Sequence, residues 1–250
     1  TPYFYDDGDR LIQTTNALDQ HRYYLYNAAD QLVVETDELG RQTLSTYDAF
    51  DRKLTERRLL PASSSWVETR YEYDAVGNLK RAVDERNNST WYDYDDVNRL
   101  IIATDAAGGA KRYEYDNAGN VVREWDELDR VTTHAYDPLN RRVSTTSGMG
   151  TEHVAYDPVG NVVAKTDANN HPTLYVYDAL NRLAFETNAL ASTKAYEYDQ
   201  TGNLITEFDE LGHPTLHAYD GQGQVLQRTN ALGGVRYYGY DGPGNISSVT

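Results

Sequence analysis

The sequence predicts an all-β chain of repetitive antiparallel β-hairpins of about 21 residues each, set side by side in a curved or spiralling sheet. Three observations predict it. A tyrosine returns at a fixed interval, a turn signature of Asp or Asn followed by Gly or Asn comes after it, and the segments between turns alternate at period two without a helical stripe.

The tyrosine is the second of the pair in strings such as YEYDAVGNL (Tyr71 to Leu79), YEYDNAGNV (Tyr113 to Val121) and YEYDQTGNL (Tyr196 to Leu204). It falls at Tyr5, Tyr26, Tyr47, Tyr73, Tyr94, Tyr115, Tyr136, Tyr156, Tyr177, Tyr198, Tyr219 and Tyr240, and nine of the eleven intervals are 21 residues. Every marker but Tyr26, which precedes Asn27, is followed by aspartate. A period in this range marks a repeat architecture, so residues 1–250 read as a single continuous array of about 12 hairpins. Two intervals depart from the rule. Between Tyr47 and Tyr73 five residues are added around RRLLPASSSWVET, where Pro61 and the serines predict an insertion loop over about residues 57–66. Between Tyr136 and Tyr156 one residue is missing, at TTSGMGTEH, where Gly148 and Gly150 tighten the turn.

Within one unit, YDDVNR from Tyr94 is a polar turn, RLIIAT a strand, DAAGGA a second turn and KRYEYD the returning strand. Period two places Leu100, Ile102 and Thr104 on one face of their strand, and Lys111, Tyr113 and Tyr115 on one face of theirs. The turn aspartate bonds nearby backbone amides, and the turn glycines Gly77, Gly119, Gly160, Gly202 and Gly244 supply positive φ. The marker tyrosine then offers a ring to the neighbouring hairpin and a hydroxyl to water or backbone. A second rhythm lies beneath the first. The turns alternate Gly77-Asn78, Asn98-Arg99, Gly119-Asn120, Asn140-Arg141, Gly160-Asn161, Asn181-Arg182 and Gly202-Asn203 until Gly223-Gln224 breaks the series. Four residues before the marker, Thr90, Lys111 and Thr132 alternate likewise, as do Thr173, Lys194 and Thr215. The structural repeat is then two unlike hairpins, which keeps identical charges from facing each other across neighbouring strands.

Composition fits such a sheet. Only 39% of residues are hydrophobic, yet there are 22 tyrosines against four phenylalanines, which suits half-buried surfaces. No cysteine is present to form a disulfide. A formal charge of −16 argues against nucleic acid as a partner, because phosphate binding needs a basic footprint. No run of apolar residues is long enough to span a membrane as a helix, and no secretory signal opens the sequence. The chain starts at Thr1 and its last turn, YDGPGNISSVT, stops just after a strand begins, so it reads as part of a longer array. Raw strand edges at its two ends predict edge-to-edge self-association.

A search for reactive groups gives no catalytic residue, no metal ligands and no cofactor. His134 and His217 occupy the phase where Tyr113 and Tyr196 stand in other units, and no HExxH or Cys/His cluster exists. Asp37, Asp126 and Asp209 open DEL turns, but units 42 residues apart lie about 19 Å apart in a sheet, too far for a carboxylate pair. They read as solvated turn acids that also discourage edge pairing. No phosphate-binding lysine loop or GxSxG elbow is present, and Ser63, Ser64 and Ser65 have no histidine nearby.

The string YDALNRL…TNAL…YEYDQTGNL…DELGHPT…YD, from Tyr177 to Asp220, resembles the YD repeats of RHS proteins, found in bacterial polymorphic toxins, insecticidal toxin complexes and teneurins. The resemblance covers nearly the whole chain. It implies a hairpin sheet spiralling into a hollow shell, with the remainder of the shell and an enclosed C-terminal toxin domain as partners, and a secreted or cell-surface location. It also implies a non-catalytic, structural role. In that family Asp-Pro-x-Gly elements accompany self-cleavage. Asp157-Pro158-Val159-Gly160 matches one locally but sits in the ordinary turn phase, and Asp137-Pro138 lacks the glycine, so both are expected to be turns. A cell-surface adhesion or carbohydrate-binding module, with Trp91 and Trp125 stacking on glycans, is the alternative reading.

Overall fold

In a computed structural model that describes residues 2–60 and 65–250, the chain is all-β: among the described residues there are 24 strands and no helix. Their contacts divide them into two units, Thr1–Tyr115 with Arg123–Val131, and Asp116–Val122 with Thr132–Thr250. In the first unit, consecutive strands from Tyr3–Tyr5 through Ala110–Tyr115 pair antiparallel. The second unit repeats the arrangement from the strand Val131–Tyr136 to the strand Ile246–Val249.

Two rows of turns result, one following the marker tyrosines and one on the opposite edge, and both use the same local geometry. In Asp95–Arg99 the Asp95 amide donates to the Arg99 carbonyl at 2.9 Å and the Asn98 amide to the Asp95 carbonyl at 3.0 Å. On the opposite edge, the Asp105 amide donates to the Gly109 carbonyl at 2.9 Å and the Gly108 amide to the Asp105 carbonyl at 3.1 Å. Each turn is closed by one residue in the left-handed region, such as Asn98 at φ 64° or Gly108 at φ 86°. Asn and Asp tolerate that region because a short polar side chain bonds locally, and glycine because it has no Cβ. Ala191, at φ 59°, has neither property.

Period two is interrupted at every marker tyrosine whose pairing is described, all but Tyr115. The register shifts there: Tyr94 faces Leu100, while Asp93 faces Ile102. Leu100 therefore does not continue the row of Ile102 and Thr104, as plain alternation predicts. The bulge places one extra residue between them, a displacement that repeats at Tyr26, Tyr47, Tyr73, Tyr156, Tyr177, Tyr198 and Tyr219.

Both irregular intervals are accommodated in hairpins. The five added residues lengthen a hairpin: Lys53–Leu60 and Ser65–Tyr73 pair from Thr55 opposite Arg70 to Leu60 opposite Ser65. Of the expected loop over 57–66, Arg57 to Leu60 and Ser65 to Trp66 are thus strand, because β-competent residues face each other and Arg57 lies 3.6 Å from Glu68. Residues 61–64 lie outside the described residues. The missing residue shortens the turn after Arg142–Ser147, where Ser147 faces Gly150 directly. Gly150, at φ 123°, also lies against Ala168, whose carbonyl oxygen would be 2.8 Å from an added Cβ.

Burial is shallow throughout. Val83, Thr15 and Thr206 are the buried side chains among the described residues, and only Val83 is fully buried, so the rings and aliphatic groups are half-covered rather than sealed in a core.

Candidate functional site

The repeated site is the turn with its tyrosine. The turn aspartate's Oδ1 accepts the amides of the second and fourth residues that follow: for Asp95, Val97 at 3.0 Å and Arg99 at 2.9 Å. Its other oxygen takes the fourth residue's side chain, Arg99 Nε at 2.7 Å. In the Gly-Asn turns the same oxygen takes an amide, as when Asn120 Nδ2 donates to Asp116 at 2.9 Å. These donors stabilise the ionised form. The Arg99 amide, then its guanidinium, holds Asp95 below the usual carboxylate range despite partial desolvation. Asp199, which also accepts the Thr201 hydroxyl, is drawn down to about 2.

Each marker from Tyr26 onward donates its hydroxyl to a backbone carbonyl just past the preceding turn on the same edge. Tyr26 reaches Leu11 at 3.0 Å, Tyr94 reaches Leu79 at 3.0 Å, Tyr115 reaches Leu100 at 2.7 Å, and Tyr198 reaches Leu183 at 2.9 Å. Tyr47, Tyr73, Tyr136, Tyr177, Tyr219 and Tyr240 do the same. At the shortened unit the bond from Tyr156 to Arg142 stretches to 3.2 Å. Tyr5 shows no such bond among the described residues and is 58% exposed. The carbonyl belongs to a residue at the bulge, and the phenol's bond to it ties two successive turns together.

The two-hairpin rhythm now has a physical basis. When a turn on the marker edge ends in arginine, the guanidinium lies over the next marker ring: Arg10 on Tyr26, Arg52 on Tyr73, Arg99 on Tyr115, Arg141 on Tyr156 and Arg182 on Tyr198, at 4.6 to 5.2 Å. Arg141 and Arg182 also donate to the next turn's aspartate carbonyl, each at 3.0 Å. When a turn ends in asparagine, its amide donates to the left-handed asparagine of the next turn: Asn78 to Asn98 and Asn120 to Asn140 at 2.9 Å, Asn161 to Asn181 at 3.0 Å. Where Gly223 occupies the left-handed position, Asn203 turns back to Thr201 instead, at 2.9 Å.

A tyrosine, an aspartate-closed turn and a bulge repeating along the chain are what the family comparison matches. The teneurin YD-shell family profile covers residues 101–250, and the RHS repeat profile covers 26–59 and 73–110. The chain belongs to the teneurin YD-shell family. No curated protein matches this YD-shell chain in sequence. The solved structure of TcdB2-TccC3 aligns with 99% of the chain at a TM-score of 0.66 and 16% identity, over 16% of its own length. TcdB2-TccC3-Cdc42 aligns with 99% at 0.57 and 16% identity, over 18% of its length. TcdB2-TccC3 without its hypervariable C-terminal region aligns with 98% at 0.57 and 17% identity, over 19% of its length. The fold is shared, and the YD-shell chain spans less than a fifth of the structures it matches.

On the opposite edge of the YD-shell, the DEL acids are engaged within their own surroundings rather than simply solvated. Asp37 accepts the Leu39 and Arg41 amides, both at 2.9 Å, and Asp126 and Asp209 do likewise with their own turns. The adjoining glutamates meet cations one strand further back than the strand leading into their turn: Glu38 with Arg22 at 2.9 Å, Glu127 with Lys111 at 3.3 Å, Glu210 with Lys194 at 3.4 Å. The lysines that alternate with threonine therefore appear where the next turn carries glutamate. Asp157 spends its Oδ1 on the amides of Val159, Gly160 and Asn161, at 2.8 to 3.0 Å, in an ordinary turn. Trp91 has Arg81 over its ring at 4.6 Å, and Trp125 has Arg112 at 5.4 Å and Arg123 at 5.6 Å. His134 lies 3.2 Å from Thr145. His217 stacks on Tyr219, and its buried Nε2 has no hydrogen-bond partner. Burial, and then Arg228, depress the pKa of His217.

Sequence reasoning identified the markers and turns but not the hydroxyl's target or the arginine over the ring. The signal was present: in most of the stacked pairs an arginine precedes a marker by 15 or 16 residues, as Arg99 precedes Tyr115.

Proposed function

We propose that this YD-shell segment is a non-catalytic length of wall in a secreted bacterial protein, and that the completed shell encloses a C-terminal toxin domain. The observation that carries the reading is the lack of a sealed core. The chain exposes 16594 Å² at 28.3 kDa, whereas two compact proteins of half that mass would together expose about 13,500 Å². Hydrogen bonds and stacked cations join one hairpin to the next, so the design serves extension of a surface. The turn acids support the same reading, since their lone pairs hold backbone amides and arginines instead of facing a shared cleft.

The third residue of many turns is large, apolar and open to solvent: Phe50 at 79%, Val97 at 66%, Leu139 at 67% and Leu180 at 68% on the marker edge, with Leu39, Leu128 and Leu211 on the other. Such tips suit burial against further wall of the same protein, the first partner in this proposal. A glycan-binding module is less well supported, because arginines already lie over Trp91 and Trp125.

The test is limited proteolysis of the whole protein that carries this segment. The C-terminal domain should resist digestion inside the intact protein and become sensitive when Tyr115 and Tyr198 are both replaced by alanine. A C-terminal domain cut equally fast in the intact protein and alone would overturn the enclosure.

A further inference from the structure

The row of side chains two residues before the markers is aromatic at Tyr3, Tyr24, Tyr71, Tyr92, Tyr113, Tyr175, Tyr196 and Tyr238, with His134 and His217 as ring substitutes. It lapses at Val154, in the shortened unit. There a cavity of about 620 Å³ opens, lined by Val154, Glu152, Lys165, Thr173, Tyr175 and residues of the neighbouring turns. That volume is in the range of small-ligand pockets.

The charge changes at the same place. Across the ladder, Tyr24 faces Glu35, Tyr175 faces Glu186 and Tyr196 faces Glu207, whereas Val154 faces Lys165. Elsewhere in the row Tyr71 faces Ala82, Tyr92 faces Ala103, His134 faces Thr145 and His217 faces Arg228, so relative to the two units that follow it, tyrosine beside glutamate has become valine beside lysine. Among the described residues Lys165 has no acidic partner, and its ammonium lies 5.8 Å from the centre of the Tyr175 ring. Asp167, nearby, is taken up by its own turn, accepting the Asn169 amide at 2.9 Å and the His171 amide at 2.8 Å, with His171 Nδ1 at 3.3 Å. Ser45 also lacks a ring, but it faces Glu56, which pairs with Lys53 at 2.7 Å, so no free cation stands there.

We propose that the notch at Val154 is a binding site for a peptide segment that presents an aromatic ring next to a carboxylate. The ring would fill the place left by the missing tyrosine, against Val154 and the Tyr175 face, and the carboxylate would meet Lys165 in a chain whose formal charge is otherwise −16. The ligand thus supplies the pair that the next two units supply for themselves with Tyr175 and Glu186 and with Tyr196 and Glu207.

The test is an amide NMR titration of the chain with N-acetyl-Tyr-Glu-amide, against N-acetyl-Tyr-Gln-amide and N-acetyl-Ala-Glu-amide. We expect saturable shifts confined to residues 152–175 with a Kd of about 1 mM. Either control peptide should bind at least about threefold more weakly. K165Q should erase the preference for Glu over Gln, and V154Y, which installs the residue other units carry, should abolish the shifts while leaving the melting temperature at or above that of the parent. The proposal is overturned by equal binding of Tyr-Glu and Tyr-Gln, by shifts that persist in V154Y, by no saturation, or by tighter binding of a sialic acid glycoside, which would make the notch a site for an anionic sugar.

Discussion

Removing the hydroxyl from a marker tyrosine separates the parts of the repeat. Tyr115 and Tyr94 both donate to a carbonyl beside the bulge, at 2.7 and 3.0 Å, but Arg99 lies 4.6 Å over the Tyr115 ring, while Asn78 closes the turn before Tyr94. Tyr→Phe at either site removes one part-buried hydrogen bond, and each substitution should cost about 1 kcal/mol. Tyr94→Ala also loses a half-buried ring, for a total of about 3 kcal/mol. Tyr115→Ala should cost about 0.5–1 kcal/mol more, because the guanidinium loses its π partner. A double-mutant cycle with Arg99→Gln should return that same increment as coupling to Tyr115 and none to Tyr94. Because repeat arrays open locally, the assay is native-state hydrogen exchange of amides in Leu100–Thr104 and Ala110–Tyr115, alongside urea unfolding. If Tyr115→Phe leaves these amides unchanged, the hydroxyl is not a tie between turns. If both alanine variants lose the same free energy, arginine stacking does not underlie the two-hairpin rhythm.

Ala191, held at φ 59° without a side-chain amide, should gain about 1 kcal/mol on replacement by glycine or asparagine, read as a rise in urea midpoint; no rise would mean the turn carries no strain. His217→Tyr should stabilise the chain by about 1 kcal/mol by removing the unpartnered Nε2, checked by thermal melting at pH 7. The same substitution should remove a pH step. Since the folded His217 pKa is depressed, its contribution is complete above about pH 6.5 and falls as pH drops through that value, so the parent should lose stability there and the variant should not. Turn aspartates with lowered pKa, Asp95 and Asp199 among them, stabilise fully above about pH 4 and lose that contribution as pH falls, for Asp199 down to about 2. Marker tyrosines with pKa raised by burial, such as Tyr115 and Tyr219, stabilise fully below about pH 10 and lose it above. A melting profile flat from pH 2 to 5 would refute the capping argument.

What could be read in the sequence follows from how local each interaction is. A turn aspartate and the left-handed residue three positions later lie in one short string, so Asp74 and Gly77 or Asp95 and Asn98 identify the turn without knowledge of the sheet. The bulge was not legible: a register shift between Leu100 and Ile102 depends on the strand opposite, and hydrophobic alternation alone predicts an unbroken face. The lengthened hairpin shows a similar limit. Pro61, Ser63 and Ser64 lie outside the described residues, and Arg57 to Leu60 look like loop only until Trp66 and Glu68 are placed across from them. The hydroxyl bond from Tyr115 to Leu100 spans 15 residues of sequence and two strands, and nothing in either residue alone announces it.

The alternation of arginine and asparagine is better explained by contact than by charge avoidance. Every marker offers a ring to a preceding arginine, but an asparagine must have a left-handed asparagine ahead of it, so each Gly-Asn turn specifies its successor. A slip of one hairpin would keep a marker ring ahead of Arg99 but would set Asn78 against a turn whose left-handed residue is glycine, leaving its amide unmatched. Uniform units would tolerate that slip without loss, because every register would look the same. The alternation therefore favours one order of hairpins over its shifted alternatives, and its failure at Gly223, where Asn203 folds back on its own turn, shows what happens when the successor lacks the matching group. Gly223→Asn should restore the forward contact from Asn203 and slow hydrogen exchange in the turns at 199–203 and 220–224, whereas unchanged exchange would mean that the forward contacts accompany the fold without selecting its register.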